Sequence, residues 1–245
     1  MASQSALDPA TAEIVRHAVS AAQSGDLARA RTIAARGLAE GRDGTALHAF
    51  LGMIEARAGD LAAAAVHLRQ AHAARPGDVT IACNLTAVLV DAGDMAGALD
   101  TATMPLALTD PSLRIARYRG FAAQALGQYA EAEGAYAHVV ACAPDDFESW
   151  NNLGNARLAL GDPAGGIAAL RRAMALDPAA SPTRINLATA LRAGGGPAEA
   201  EQVLRAAAAD FPEDAHPLHE LYVLLKQDGR HEDALPVIAQ ATTWA

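Results

Sequence analysis

Glycine recurs along this chain at a constant spacing of 34 residues, at Gly25, Gly59, Gly93, Gly127, Gly161, Gly195 and Gly229. Aspartate follows it four times, at Asp26, Asp60, Asp94 and Asp162. No insertion or deletion disturbs this phase. A fixed period of this length indicates one small structural unit that is repeated and stacked, because a single copy of such a unit cannot bury its own apolar face.

The period can be written as a 34-residue unit with the glycine at position 15. Alanine or glycine then fills position 20, leucine fills position 7 in five units, and proline fills position 32 in four. The glycine predicts the left-handed end of a first helix, the aspartate caps a second helix, and the proline ends it. The predicted repeats span residues 11–44, 45–78, 79–112, 113–146, 147–180, 181–214 and 215–245, after an N-terminal extension at residues 1–10.

The fifth repeat carries the pattern that identifies the family. Its Trp150, Leu153, Gly154, Ala173 and Pro178 resemble the tetratricopeptide repeat (TPR), and the resemblance covers residues 11–245. It implies an all-α fold, a right-handed superhelical solenoid of helix–turn–helix repeats. It also implies a concave groove, lined by one side of each first helix, that binds a peptide or helix of a partner protein.

The helical period separates positions 2, 5, 6, 9, 12 and 13 of the first helix from its packing side, and the resemblance assigns them to the groove. In repeats 1 to 3 the predicted groove residues are Val15, Val19, Ala49, Phe50, Met53, Cys83, Asn84 and Ala87. In repeats 4 to 6 they are Arg114, Arg117, Tyr118, Phe121, Asn151, Asn152, Asn155 and Asn186. The first group is mainly apolar and the second mainly polar.

Asparagine occupies position 6 in three repeats, at Asn84, Asn152 and Asn186. An amide both donates and accepts hydrogen bonds, so a row of amides could hold an extended backbone. This is similar to the Asn-lined superhelix of the O-linked N-acetylglucosamine transferases. The alternative is that these amides bond locally to neighbouring turns.

Two residues depart from the repeat pattern. Pro105 falls inside the second helix of repeat 3, which predicts a break or kink near residue 104. Arg119 stands where leucine is usual in repeat 4, close to Arg114 and Arg117. It is either an arginine with a packed stem and a solvated head, or a contact for a carboxylate or phosphate in the groove.

Charge and composition limit the partners. A net charge of -9 and a pI near 5.3 argue against nucleic acid or an anionic membrane as a partner. The sequence shows neither a signal peptide core nor a membrane-spanning stretch, and Cys83 and Cys142 form no disulfide framework, so we expect a cytoplasmic protein. Abundant alanine, with Lys226 as the only lysine, suggests a bacterial source.

No catalytic constellation stands out. His216 and His219, with Glu220 beside them, are the one arrangement resembling a metal site, and they lack a third convergent ligand. We therefore expect no catalytic residues, no metal and no cofactor in this chain itself.

Two functions remain open from the sequence. The first is a domain that recruits a substrate to a larger bacterial enzyme, such as a protein glycosyltransferase acting on flagellin. The second is a free-standing cytoplasmic TPR adaptor or chaperone. The last run, residues 231–245, lacks the polar face that closes a repeat array, which predicts a fragment of a longer protein or self-association through the uncapped C-terminal helix.

Overall fold

The computed structural model describes residues 8–242, and these residues form fifteen helices and no strand. The predicted all-α fold class is confirmed. Residues 1–7 of the predicted N-terminal extension and residues 243–245 lie outside the described residues. The helices are α1 (Pro9–Gln23), α2 (Leu27–Ala39), α3 (Gly44–Arg57), α4 (Leu61–Ala74), α5 (Val79–Asp91), α6 (Met95–Thr101), α7 (Met104–Thr109), α8 (Arg114–Ala125), α9 (Tyr129–Cys142), α10 (Phe147–Ala159), α11 (Pro163–Leu176), α12 (Ser181–Ala193), α13 (Pro197–Asp210), α14 (His216–Gln227) and α15 (His231–Thr242).

These helices belong to two compact units. Unit 1 spans residues 1–126 and contains α1 to α8, and unit 2 spans residues 127–245 and contains α9 to α15. In unit 1, the first helices α1, α3, α5 and α8 lie side by side, and second helices such as α2 and α4 pack against the first helix that follows. In unit 2, α10, α12 and α14 form the corresponding row.

The turn inside each repeat has the predicted geometry. All seven periodic glycines have positive φ, between 71° and 88°, where a side chain would be strained. The four aspartates that follow them accept a hydrogen bond from the backbone N–H three residues on, each at 2.9 Å. Glycine as a helix end and aspartate as a cap are therefore confirmed.

The closing prolines also act as expected. The second helices α4, α9, α11 and α13 end two residues before Pro76, Pro144, Pro178 and Pro212 respectively. Proline cannot donate the backbone hydrogen bond that would continue a helix, so each chain segment leaves the helix there.

Small residues at position 8 let the two helices of a repeat approach closely. A Cβ added to Gly52 would lie 2.4 Å from Leu68 Cγ, and one added to Gly154 would lie 2.5 Å from Leu170 Cγ. The leucines at position 7, such as Leu51 and Leu153, are buried. The packing side of the first helix is thus the one that the helical period predicts.

The connection between repeats 3 and 4 is different. The second helix of repeat 3 is broken between α6 and α7, at Ala102 and Thr103, and Pro105 is the second residue of α7. The predicted break is confirmed. Proline fits the first turn of a new helix, where its missing N–H costs nothing.

The start of α8 is rebuilt to match. Leu113, just before this helix, has a φ of 58°, which is rare for a residue with a side chain. The buried carboxylate of Asp110 accepts hydrogen bonds from the backbone N–H groups of Ser112 and Ile115, both at 2.9 Å. Burial is the largest single influence and acts to raise the pKa of Asp110, but the hydrogen bonds together outweigh it and lower that pKa. The Asp110 side chain therefore caps the N-terminus of α8, although Asp110 lies five residues before Ile115 in the sequence.

Arg119 completes this rearrangement. Its Nη1 donates to the carbonyl oxygen of Ala102 at 2.9 Å and to that of Leu99 at 3.4 Å. The broken helix leaves these carbonyls without helical partners, and a half-buried guanidinium satisfies them. Neither sequence interpretation of Arg119 anticipates this role.

Candidate protein-binding surface

The first helices carry the predicted binding residues, and all of these except Cys83 are half-buried or exposed. In unit 1 we call this set the first-helix face of unit 1: Val15, Val19, Ala49, Phe50, Met53, Cys83, Asn84, Ala87, Arg114, Arg117, Tyr118 and Phe121. Met53 on α3 is 52% exposed and Phe121 on α8 is 49% exposed. Both occupy position 9, and α5 places the smaller Ala87 at the same position between them. Two large apolar side chains, Met53 and Phe121, thus lie on either side of the small side chain of Ala87.

Cys83 takes a different place in this set. It is 5% exposed, so its thiol is buried and does not lie on the surface. Burial raises the pKa of Cys83, which keeps the thiol neutral. Val15, Val19, Ala49, Phe50, Asn84 and Ala87 are half-buried.

Arginine and tyrosine on α8 give the face a cationic border. The guanidinium of Arg114 lies 5.8 Å from the ring centre of Tyr118, and its Nη2 lies 3.4 Å from the Tyr118 hydroxyl oxygen. The bond to this hydroxyl raises the pKa of Arg114. Arg117 Nη1 donates to the carbonyl of Ser112 at 3.1 Å. The helix carries no acidic residue, so its exposed side attracts anionic groups.

The first-helix face of unit 2 consists of Asn151, Asn152 and Asn155 on α10 and Asn186 on α12, all half-buried. Asn186 Nδ2 donates to Asn151 Oδ1 at 3.0 Å, and Asn151 Nδ2 lies 3.5 Å from Asn152 Oδ1. Asn151, Asn152 and Asn186 thus hydrogen-bond one another through their side chains. Each amide has two N–H groups and one carbonyl oxygen, so the row keeps further bonding capacity.

Tyr136 on α9 supports this row of amides, and the sequence pattern does not indicate it. It is 2% exposed on α9, and its side chain is hydrogen-bonded to Asn152. Burial raises the pKa of Tyr136, against the opposing effect of this bond. The repeat pattern could not point to Tyr136. It identifies the residues that line the face, which lie on first helices, and Tyr136 lies on a second helix.

The residues that resembled a metal site bond within the chain. His216 Nδ1 lies 2.8 Å from an oxygen of Asp214, and His219 Nδ1 lies 3.4 Å from one of Glu220. Within residues 8–242, no group of three or more His, Cys, Asp or Glu side chains could hold a metal ion. In the same range, no helix has both the length and the apolar character needed to cross a bilayer.

Solved structures resemble this fold at low sequence identity. The crystal structure of a tetratricopeptide repeat protein from Parabacteroides merdae ATCC 43184 has a TM-score of 0.61 and 17% identity, covering 95% of this chain and 92% of that chain. YrrB, described as a TPR protein with an unusual peptide-binding site, has a TM-score of 0.59 and 19% identity, covering 72% and 91%. MamA of Desulfovibrio magneticus RS-1 has a TM-score of 0.52 and 18% identity, covering 82% and 95%.

The sequence comparisons agree with this fold. A search of curated proteins gave no match. One tetratricopeptide repeat family model matches residues 15–79 and 119–181, and a second matches residues 157–225. The first of these models alone covers more than half of the chain, and the observed helix pairs follow its period. The chain therefore belongs to the tetratricopeptide repeat family.

Proposed function

We propose that this TPR protein binds a polypeptide partner on the first-helix face of unit 1. The observation that carries the proposal is the exposure of Met53 and Phe121, 52% and 49%, on one row of adjacent helices. Large apolar side chains exposed on the same face commonly mark protein interaction sites. The peptide-binding site named for YrrB supports a peptide as the class of ligand.

The chemistry of this face favours a particular kind of segment. A large apolar side chain of the partner would lie over Ala87, between Met53 and Phe121, and would remove apolar surface of both from water. Arg114 at the border favours a carboxylate beside that apolar side chain. The protein as a whole has a net charge of -9 and repels acidic segments, so the arginines on α8 favour one position for a carboxylate of the partner.

The first-helix face of unit 2 is proposed as a second, less selective surface. Its amides bond a peptide backbone through both donors and acceptors, whatever the side chains of the partner. Each such bond contributes about 0.5–1.5 kcal/mol net, so Asn152→Ala and Asn186→Ala are each expected to weaken binding by about twofold to about tenfold.

Selection of short random peptides on the immobilised 245-residue protein, followed by fluorescence polarisation, tests the main proposal. Met53→Glu and Phe121→Glu are each expected to lower the affinity for the selected peptides by about tenfold or more. Val66→Glu is the matched control, because Val66 is 54% exposed but lies on the second helix α4. Equal affinities for all three variants would place the binding surface elsewhere.

For the biological role, we propose recruitment of a substrate protein to a bacterial glycosyltransferase, with flagellin as the candidate substrate. The apolar face of unit 1 supports this role because it suits an apolar segment of a substrate protein, and the amides of unit 2 support it separately because they suit an extended backbone. The alanine-rich composition supports a bacterial cytoplasmic setting. Purified flagellin is expected to displace the selected peptides, and failure to displace them would exclude flagellin without affecting peptide binding.

The second candidate role is a free-standing adaptor. It is supported by the solved TPR proteins above, of which this chain covers more than 90%. Displacement of the selected peptides by a protein other than a glycosyltransferase substrate would favour the adaptor.

A further inference from the structure

A cleft of about 510 Å³ lies along the first hairpin of unit 1, between α1 and α2. Apolar residues Ile14, Ala21 and Ile33 line it, and Arg29 and Arg36 are among its polar residues. Ala21 stands at position 11 of its repeat, and the residue at position 11 of the next repeat is Glu55. Glu55 faces the preceding second helix, α2. In repeat 2, the equivalent side of the hairpin is covered by α2, the second helix of repeat 1. In repeat 1, this side forms the cleft.

The joints between repeats pair two fixed positions. Position 21 of one repeat lies against position 11 of the next, and at most joints the two residues match in chemical character. Opposite charges meet at Arg31 and Glu55 in unit 1, and at Glu133 and Arg157 in unit 2. Apolar residues share one cluster at Ala65 with Leu89, and another at Ile167 with Leu191.

One joint departs from this pairing. Glu201 stands at position 21 before Leu225, and its carboxylate bonds Arg230 and Arg205 instead. A charge at position 21 therefore finds a charged partner even when position 11 is apolar.

An exposed apolar residue at position 21 is present on α15. Leu235 on α15 occupies this position and is 66% exposed. Leu99, the same residue type at the same position, is half-buried, and its helix α6 packs against α8. Leu235 is thus exposed at a position that lies in the joint of other repeats, and the apolar joints at Ala65 with Leu89 and at Ile167 with Leu191 favour an apolar residue opposite it.

We propose that copies of this protein associate head to tail, with α15 of one copy in the α1–α2 cleft of the next and Leu235 against Ala21. The pairing of Leu235 with Ala21 is apolar on both sides, as at Ala65 and Leu89. The two surfaces are different, so the contact is heterologous and repeats from copy to copy. Such a contact produces open chains, or rings where the rotation closes.

Sedimentation velocity of the full chain over a wide concentration range tests this proposal. The wild-type protein is expected to sediment faster as its concentration rises, and Leu235→Glu is expected to remain a monomer. Val66→Glu is the control, because Val66 is also an exposed apolar residue but lies on α4, and this variant is expected to behave as wild type. Circular dichroism checks that each variant is folded.

A charge pair gives the sharper test. Ala21→Arg alone is expected to prevent association, and Ala21→Arg with Leu235→Glu is expected to restore it, as Arg157 and Glu133 pair at the same positions. A wild-type protein that stays monomeric, or a Leu235→Glu variant that associates normally, would overturn the proposal. Monomeric Leu235→Glu is expected to keep the affinity for selected peptides, which separates this contact from the proposed peptide-binding face.

Discussion

In unit 1 the second helix of the third repeat breaks into α6 and α7, whereas in unit 2 its counterpart α11 runs unbroken from Pro163 to Leu176. Both helices begin after the same glycine–aspartate turn. The difference comes from Pro105, and it spreads to Leu113, Asp110 and Arg119, which rebuild the next helix start. One proline in the repeat thus required several compensating changes nearby.

The exposed faces differ in another way. Unit 1 presents Met53 and Phe121, whereas unit 2 presents amides that bond one another, as Asn186 and Asn151 do. The buried positions are similar in both units, since stacking requires them. The face positions contribute little to stacking, so the two units can carry different chemistry on one scaffold.

The largest effect is expected where the two units are most alike, at the close contacts of Gly52 and Gly154. Valine at either position would collide with Leu68 or Leu170 and is expected to lower the free energy of unfolding by about 3 kcal/mol. Hydrogen exchange with mass spectrometry, which resolves the two units, measures the loss. Gly134→Ala is the control, because no atom lies within 4 Å of its added Cβ. Unequal losses at the two glycines would show that the shared packing differs between units.

The next largest effect is expected at the joint that distinguishes unit 1. Arg119→Leu restores the usual repeat residue but removes the donor to the carbonyl of buried Ala102. A buried acceptor left without a donor costs about 1–3 kcal/mol, so urea denaturation should show a loss of this size. A gain in stability would mean that the leucine packing outweighs the hydrogen bond.

Smaller and equal effects are expected at the turns. Asp60→Ala in unit 1 and Asp162→Ala in unit 2 each remove one N-cap hydrogen bond of 2.9 Å. Each should lower the free energy of unfolding by about 1 kcal/mol. Asp60→Asn and Asp162→Asn are the controls, since asparagine also caps. Different losses from the two alanine variants would show that the turns are not equivalent.

The smallest effect is expected for the pH dependence of stability in unit 1. Burial lowers the pKa of His48 and of His72, and the charge of His67 lowers the pKa of His48 further. Both lie in unit 1, on α3 and α4, where His48 Nδ1 is 2.9 Å from His67 Nδ1. The unfolded chain then binds more protons than the native one below about pH 6.5, so unit 1 should lose stability as the pH falls.

Hydrogen exchange of α3 and α4 between about pH 6.5 and pH 5, corrected for intrinsic exchange rates, measures this loss. His48→Gln and His72→Gln should flatten the dependence, because glutamine does not titrate. An unchanged dependence in the double variant would assign it to other groups.

The sequence predicted the elements better than it predicted the contacts. Positive φ at Gly25 and its equivalents, capping by Asp26, and the break near Pro105 all follow from local rules that need no partner helix. The residues of the first-helix faces could be named from the period, and their binding role remains a proposal. Tyr136 beneath the amides could not be found, since its contact with Asn152 joins two helices.

The sequence by itself determined the period, the ends of the helices and the side of each first helix that is buried. These depend on backbone conformation and on the spacing of residues within a helix, which the printed order of residues already contains. Only the tertiary structure decided that Arg119 bonds the carbonyl of Ala102 and that Asn186 reaches Asn151. Those partners are far apart along the chain, and stacking of separate repeats is what brings them within hydrogen-bonding distance.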